Sequence, residues 1–343
     1  MTAHKTCSSF YYLPNTIQLF SGPQCISKNA HVFDSLGSKP VIVSGRTSAT
    51  KSGALSDVNS ALQHHPPLLH YSQVSENPTF ENVVEAFRLC SHLQPDHVIG
   101  IGGGSAMDFA KCLALLLSNY TIDSFDFEKA RESVFSSSLP VSVKVVCIPI
   151  TCGTGSEVTP YSIITDPTFG NKRNVVTKIL ASAAFLDYRY LKSLPRQLVI
   201  STALDALSHI IEARMSCAAE GLEYWKVGLW EKLLEGTYDD VILDQLMTMQ
   251  CIAGIAITLG GTTIPHAAGY LLTYHLKVHH GTANLLVMPS FLEIYSRHDD
   301  QLVKIVLEAM GMSSIDQFRS QLKQLIDFDP IVESSDLELF VEK

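Results

Sequence analysis

Residues 97–117, HVIGIGGGSAMDFAKCLALLL, constrain the fold of this chain most. An apolar run over 98–101 passes without a polar break into Gly102-Gly103-Gly104-Ser105 and then into a helical pattern. A strand with no polar alternation has both faces covered, which is the condition of a parallel sheet flanked by helices. Glycines at its end let backbone N–H groups approach a phosphate, and the start of the following helix adds a favourable dipole. The same GGGS would also serve a tight strand-to-helix turn with no ligand.

The surrounding chain repeats this alternation. Residues 10–20 read as an extended segment, and 39–44 (KPVIVS) as a buried strand ending at Gly45. Helical periodicity follows over 57–64, a strand over 68–74, a turn at Glu76-Asn77-Pro78-Thr79 and an amphipathic helix through Leu93. A further strand at 143–148 runs into PITCGTGSEVTP, a second loop rich in Gly, Thr and Ser. Two such loops at strand ends favour a dinucleotide site, although the spacing is not GxGxxG. From Leu194 the strand signals stop, and helical patterns run over 197–215, 222–234, 243–259 and 267–276. The expected fold class is α/β plus all-α: a Rossmann-like parallel cofactor domain over 1–190 and an all-helical metal and substrate domain over 191–343. At 343 residues, two domains are the default for one chain.

Asp205 and His209 stand four residues apart in LDALSHIIEA, so both project from one face of a helix. His266 and His280 cannot meet at one ion from a continuous helix, because fourteen residues of helix would separate them by roughly 20 Å. The chain must fold back between them. Pro265 suits the first turn of a helix capped by Thr262 or Thr263, and Gly281 breaks the next apolar run, so both histidines are expected at helix starts. One Asp and three His make a ligand set for a borderline divalent metal.

The formal charge of −9, with no run of Lys or Arg, argues against nucleic acid as a partner. The N-terminal stretch lacks a basic segment followed by an apolar one, and LALLLS is too short to cross a bilayer, so the chain reads as cytoplasmic with no membrane partner. Eight cysteines without a CxxC pair read as reduced thiols, and Cys152, in the second glycine loop, reads as a packing residue. At the end of the 39–44 strand, Gly45 stands where an acidic residue would hydrogen-bond an adenosine ribose, with Arg46, Thr47 and Ser48 beside it. Donors without an acid favour NADPH, with NADH as the other option.

Taken together, GGGSAMDFAK, PITCGTGSEVTP, ENPT, LDALSH and the stretch from His266 to His280 resemble the iron-containing (group III) alcohol dehydrogenase family over roughly residues 10–295. The resemblance implies an α/β cofactor domain followed by an all-α domain, in the dehydroquinate synthase-like architecture. It implies metal ligation by Asp205, His209, His266 and His280, and cofactor contacts from Gly103, Gly104, Ser105 and Asp108 with Asn77, Thr151, Thr154 and Lys172 around them. Ile150 stands where many members have Thr, and Ala203-Leu204 where a Gly-hydrophobic pair is usual. Tyr270 occupies the place of a further histidine near the substrate, which suggests proton delivery. The chain after Pro289 is shorter than the family pattern, so part of the helical wall is expected to be missing.

The implied reaction is hydride transfer between a nicotinamide and a small polar aldehyde or primary alcohol at Fe²⁺, with Zn²⁺ as the alternative ion. Phosphonoacetaldehyde reduction is the sharper substrate reading, with Arg214, Lys277 and Arg297 as the cations it would need. A non-redox lyase or cyclase of the dehydroquinate synthase type and an inactive binding protein are the rivals; the DALSH spacing, the GTGSEVT loop and the intact ligands argue against them. A homodimer is the assembly left open.

Overall fold

Val41, Ile42, Val43, Val98, Ile99 and Ile101 are all fully buried. Strands this apolar need cover on both sides, and they have it. The computed structural model describes residues 17–217, 221–225 and 228–326. Six strands form one parallel sheet in the order β1-β8-β5-β4-β2-β3: β1 (Gln18–Ser21), β2 (Pro40–Ser44), β3 (Leu69–Tyr71), β4 (His97–Gly102), β5 (Lys144–Pro149) and β8 (Ala183–Leu186). Between β5 and β8 the chain makes an antiparallel hairpin, β6 (Ile163–Asp166) and β7 (Asn171–Asn174).

Successive strand side chains point to opposite faces, and each face has its own core. Val41, Val43, Val98, Val145 and Cys147 pack under α5 (Phe80–Cys90), α6 (Gly104–Asn119) and α7 (Phe127–Ser136). Ile42, Ile99, Ile101, Val146 and Ile148 pack under the short helices α1 (Cys25–Lys28), α2 (His31–Leu36), α3 (Ser48–Lys51) and α4 (Ala54–Ala61). The chain goes from β2 to β3 on one side and then to β4 on the other, so the strand order reverses between β2 and β4. Ligands of doubly wound sheets lie beyond the C-terminal strand ends at such a point.

The second body is helical: α8 (Arg196–Cys217), α9 (Leu229–Glu235), α10 (Asp240–Gly260), α11 (Ile264–Leu276), α12 (His280–Ser296), α13 (Asp300–Ala309) and α14 (Ile315–Leu325). α8 is sandwiched between α10 and α12, and α11 lies along α12. α10 is long and apolar enough to cross a membrane, but most of it is buried against its neighbours here.

Three details differ from the sequence expectation. Of the extended segment at 10–20, β1 uses only Gln18 onward, and residues 10–16 lie outside the described residues. The strand expected over 68–74 pairs only from Leu69 to Tyr71. The helix expected over 222–234 is a 3-10 turn at Leu222–Tyr224 and then α9, whose start follows Gly228 in a left-handed conformation (φ 97°).

Candidate active site

The ends of β2, β4 and β5 open on one cavity of about 840 Å³ that continues to the inner ends of α8, α11 and α12. Gly45 lines it after β2, Gly102, Gly103, Gly104 and Ser105 after β4, and Ile150, Thr151 and Thr154 after β5. The two glycine-bearing loops face each other so closely that a Cβ on Gly104 would stand 2.8 Å from Thr154 Cγ2. This leaves bare backbone N–H groups at the mouth of α6, a cradle for an anionic group. Thr151 Oγ1 is buried at the same place with no hydrogen-bond partner among the described residues. An orphaned hydroxyl beside a glycine cradle suits a bound cofactor. Ile150 is buried in the core and offers no polar contact.

Buried charges hold these loops. Lys111, fully buried on α6, donates from Nζ to the carbonyls of Ser156, Thr159 and Tyr161 and to Ser156 Oγ at 2.7–3.0 Å. Asp108 lines the cavity, but its Oδ1 accepts from Ser156 Oγ (2.6 Å) and its Oδ2 from the Ile163 N–H (2.9 Å). Its carboxylate therefore ties α6 to the second loop and to β6 instead of standing free for a ligand. At the ENPT turn, Asn77 adopts φ 53° and its N–H donates to Ser105 Oγ at 3.3 Å. Thr79 and Asn82 cap α5 reciprocally just beyond it, which fixes the turn against the first loop. Arg46 is exposed and does not line the cavity, whereas Thr47, Ser48 and Lys51 do. Cys152 is buried with Sγ 3.1 Å from Thr202 Oγ1, and burial pushes its thiol up to about 12, the behaviour of a packing residue.

At the other end of the cavity, Asp205, His266 and His280 offer ligand atoms that all lie within 4.8 Å of one another. From Asp205 Oδ1 the Nε2 atoms of His266, His209 and His280 stand 3.6, 3.9 and 3.9 Å away. Two ligands about 2.1 Å from one tetrahedral ion are separated by about 3.4 Å, so this donor set has nearly the size of a metal site. His209 adjoins the tight set by stacking on His266, with ring centroids 4.5 Å apart. The helix starts explain the convergence: His266 is in the first turn of α11 after Pro265, and His280 is the first residue of α12. Gly281 lets α12 approach α8, since a Cβ there would stand 2.7 Å from the Asp205 nitrogen.

Burial works to raise the Asp205 carboxyl, but His209, His266 and His280 outweigh it and hold it well below the usual range. Burial pushes His209 down to about 4 and His280 well below the usual imidazole value. His266 is opposed by burial too, yet hydrogen bonds to Asp205 and Glu212 raise it to about 9. An ionised carboxylate and imidazole nitrogens free of protons are what a divalent ion requires, and at His266 the ion must displace a proton.

Two residues that the sequence did not single out complete the cluster. Glu212, fully buried on α8, accepts from His266 Nδ1 at 2.5 Å. Asn284 Nδ2 donates to Asp205 Oδ1 at 3.0 Å and lies 3.1 Å from His266 Nε2. Both stand at helical spacing from candidate ligands, Glu212 three after His209 and Asn284 four after His280, which is the signal that could have found them. Tyr270 stacks on His280, and Lys172, brought in by β7, has Nζ 5.5 Å from the Tyr270 ring centroid. Burial lowers the Lys172 ammonium, against the pull of Asp205, Glu76 and Asp108. Arg214, Lys277 and Arg297 are not among the cavity residues; Lys277 instead donates to the Tyr274 carbonyl.

A doubly wound sheet with glycine loops at its switch point, joined to a helical body bearing an Asp/His cluster, defines a protein with a nucleotide-type cleft ending in a metal-type ligand set. The chain belongs to the iron-containing alcohol dehydrogenase family: that family's model matches residues 16–188, and the Fe-containing alcohol dehydrogenase C-terminal model matches 199–329. An iron-containing alcohol dehydrogenase from Thermotoga maritima superposes with a TM-score of 0.83 at 33% identity, covering 96% of this chain and 91% of that one. Among curated relatives, aldehyde-alcohol dehydrogenase 2 of Entamoeba histolytica is 31% identical over 231 residues, 64% of this chain but 27% of that protein. Long-chain-alcohol dehydrogenase 1 of Geobacillus thermodenitrificans is 28% identical over 292 residues, 81% of this chain and 72% of that protein.

Proposed function

We propose that this chain is a metal-dependent, NAD(P)-linked alcohol dehydrogenase or aldehyde reductase acting on a small polar aldehyde or primary alcohol. One observation carries the reading: the glycine cradle and the Asp/His cluster lie in a single cavity. Family membership supports it. The proposed division of labour is 1–190 for the cofactor and 191–343 for metal and substrate. A divalent ion bound at the cluster supplies Lewis acidity toward a carbonyl oxygen, and the nicotinamide supplies the redox chemistry. Fe²⁺ is the expected ion and Zn²⁺ the alternative.

In this reading Asp205, His209, His266 and His280 hold the ion. The Gly103-Gly104-Ser105 and Thr151-to-Thr154 backbones bind the cofactor's pyrophosphate, with Asn77 and Gly45 shaping its walls and Lys172 adding charge. Asp108 and Lys111 keep the two loops in register, and Tyr270 delivers the proton to the product oxygen. The absence of an acid after β2 and the presence of Lys51 in the cavity favour NADPH over NADH. A phosphonate substrate loses support, because its three candidate cations do not line the cavity. The lyase or cyclase reading is disfavoured by the family matched. A cytoplasmic location and a homodimer remain part of the proposal.

The test is oxidation of NADPH and NADH by the purified, Fe²⁺-supplemented protein with lactaldehyde, glycolaldehyde, propanal and phosphonoacetaldehyde. Oxidation with a short aldehyde, fastest with NADPH, is expected. Failure of both cofactors with every aldehyde would overturn the reading.

A further inference from the structure

Glu212 lies on α8 with its side chain fully buried, and among the described residues its side-chain hydrogen bonds all go to the start of α11, at Thr263 and His266. Its Oε1 accepts from His266 Nδ1 at 2.5 Å. Its Oε2 accepts from the Thr263 N–H at 2.5 Å and from Thr263 Oγ1 at 2.9 Å. Thr263 holds the N-cap position of α11 but does not cap it with its own hydroxyl. A carboxylate from a different helix takes the terminal N–H instead, where the helix dipole favours negative charge.

An imidazole whose Nδ1–H is donated to a fixed carboxylate is set in orientation, which turns Nε2 toward Asp205 and Asn284 as the nitrogen that would ligate once an ion displaces its proton. That nitrogen faces Asp205 Oδ1 across 3.6 Å. The same carboxylate therefore fixes both the ring and the backbone turn that carries it. Asp205, His209 and Glu212 share one face of α8, so a single helix supplies two proposed ligands and the brace for a third.

We propose that Glu212 is a positioning residue for the metal centre, holding His266 in the ligating orientation and joining α11 to α8. The proposal rests on the reading of Asp205, His209, His266 and His280 as metal ligands. It is distinct from a purely structural joint, which would weaken the fold without changing the affinity of folded protein for an ion.

The test uses the full chain, freed of metal by a chelator and titrated with Zn²⁺ against a chromophoric competitor, together with the visible spectrum of the Co²⁺-loaded protein. Thermal melting checks folding. Glu212→Gln is expected to weaken Zn²⁺ binding by about 10–100-fold and to shift the Co²⁺ bands. Glu212→Asp, which keeps the charge but shortens the reach, is expected to lie between it and wild type, and it decides the matter if Glu212→Gln does not fold. Thr263→Val, which removes only the hydroxyl bond, is expected to lower the melting temperature while leaving the Zn²⁺ dissociation constant within about threefold. Folded Glu212 variants with wild-type Zn²⁺ affinity and an unshifted Co²⁺ spectrum would overturn the proposal while leaving the metal site standing. A wild-type protein that binds no ion would overturn both.

Discussion

The phenol ring of Tyr270 lies parallel to the imidazole of His280, with centroids 4.9 Å apart and planes 4° from parallel. Burial, reinforced by Asp205, Asp108 and Glu212, pushes the phenol well above its usual value, so it keeps its proton and can act as a donor. Tyr270→Phe preserves the stacking and removes only the hydroxyl. A drop in kcat of about 100-fold, with a changed pH profile, is expected if the hydroxyl delivers the proton. Unchanged kcat and pH profile would reduce Tyr270 to a packing residue.

Cofactor choice is expected to depend on Lys51 and not on Arg46. Only the former lines the cavity beside Thr47 and Ser48. Lys51→Ala should raise KM for NADPH about tenfold with little effect on NADH, the loss of one charge-assisted contact of about 1.4 kcal/mol near solvent. Arg46→Ala should leave both KM values near wild type. The opposite pattern would restore the guanidinium to the role that the sequence suggested.

The difference between those two residues marks where the sequence stops being legible. Strands β2, β4 and β5, the glycine loops and the Asp205/His209 pair could be read because apolar runs, glycine clusters and an i, i+4 spacing are local signals. Which side chain of a surface turn faces a cavity is set by tertiary packing, and Arg46 and Lys51 look alike in sequence. The β6–β7 hairpin left little trace, since Asn171–Asn174 is polar throughout and is placed by contacts with α11. Glu212 carries only its spacing from His209 as a local signal, because its role depends on a turn of chain more than fifty residues later.

Stability should fall with rising pH because of Glu157. The carboxyl is fully buried, neither oxygen has a side-chain or backbone partner from another of the described residues, and burial raises it from 4.5 to about 7 against the pull of Lys111. Between those two values the folded protein keeps a proton that the unfolded chain releases. The stability present below pH 4.5 is therefore lost progressively up to about pH 7, by about 3 kcal/mol in all. Glu157→Gln should flatten this part of the melting-temperature profile and be the more stable protein at pH 8. Parallel profiles for the two proteins would show that Glu157 is not the group responsible.

Gly281 sets how near α12 comes to α8. Gly281→Ala would press a methyl against the Ser201 carbonyl and the Asp205 backbone, so a stability loss of about 1–3 kcal/mol is expected, with weakened metal binding as His280 is displaced. Calorimetry and Zn²⁺ titration of the same sample would check both. Wild-type stability and affinity would mean that the helices separate without disturbing the cluster.

The most direct test of the account compares metal-stripped wild type with metal-stripped His266→Ala in NADPH oxidation by a short aldehyde, before and after Fe²⁺ is added. Wild type should be inactive when stripped and regain activity on adding the ion, while His266→Ala should stay inactive at the same Fe²⁺ concentration. Activity in the stripped wild type, or equal recovery in the two proteins, would contradict a metal-dependent hydride transfer centred on Asp205, His209, His266 and His280.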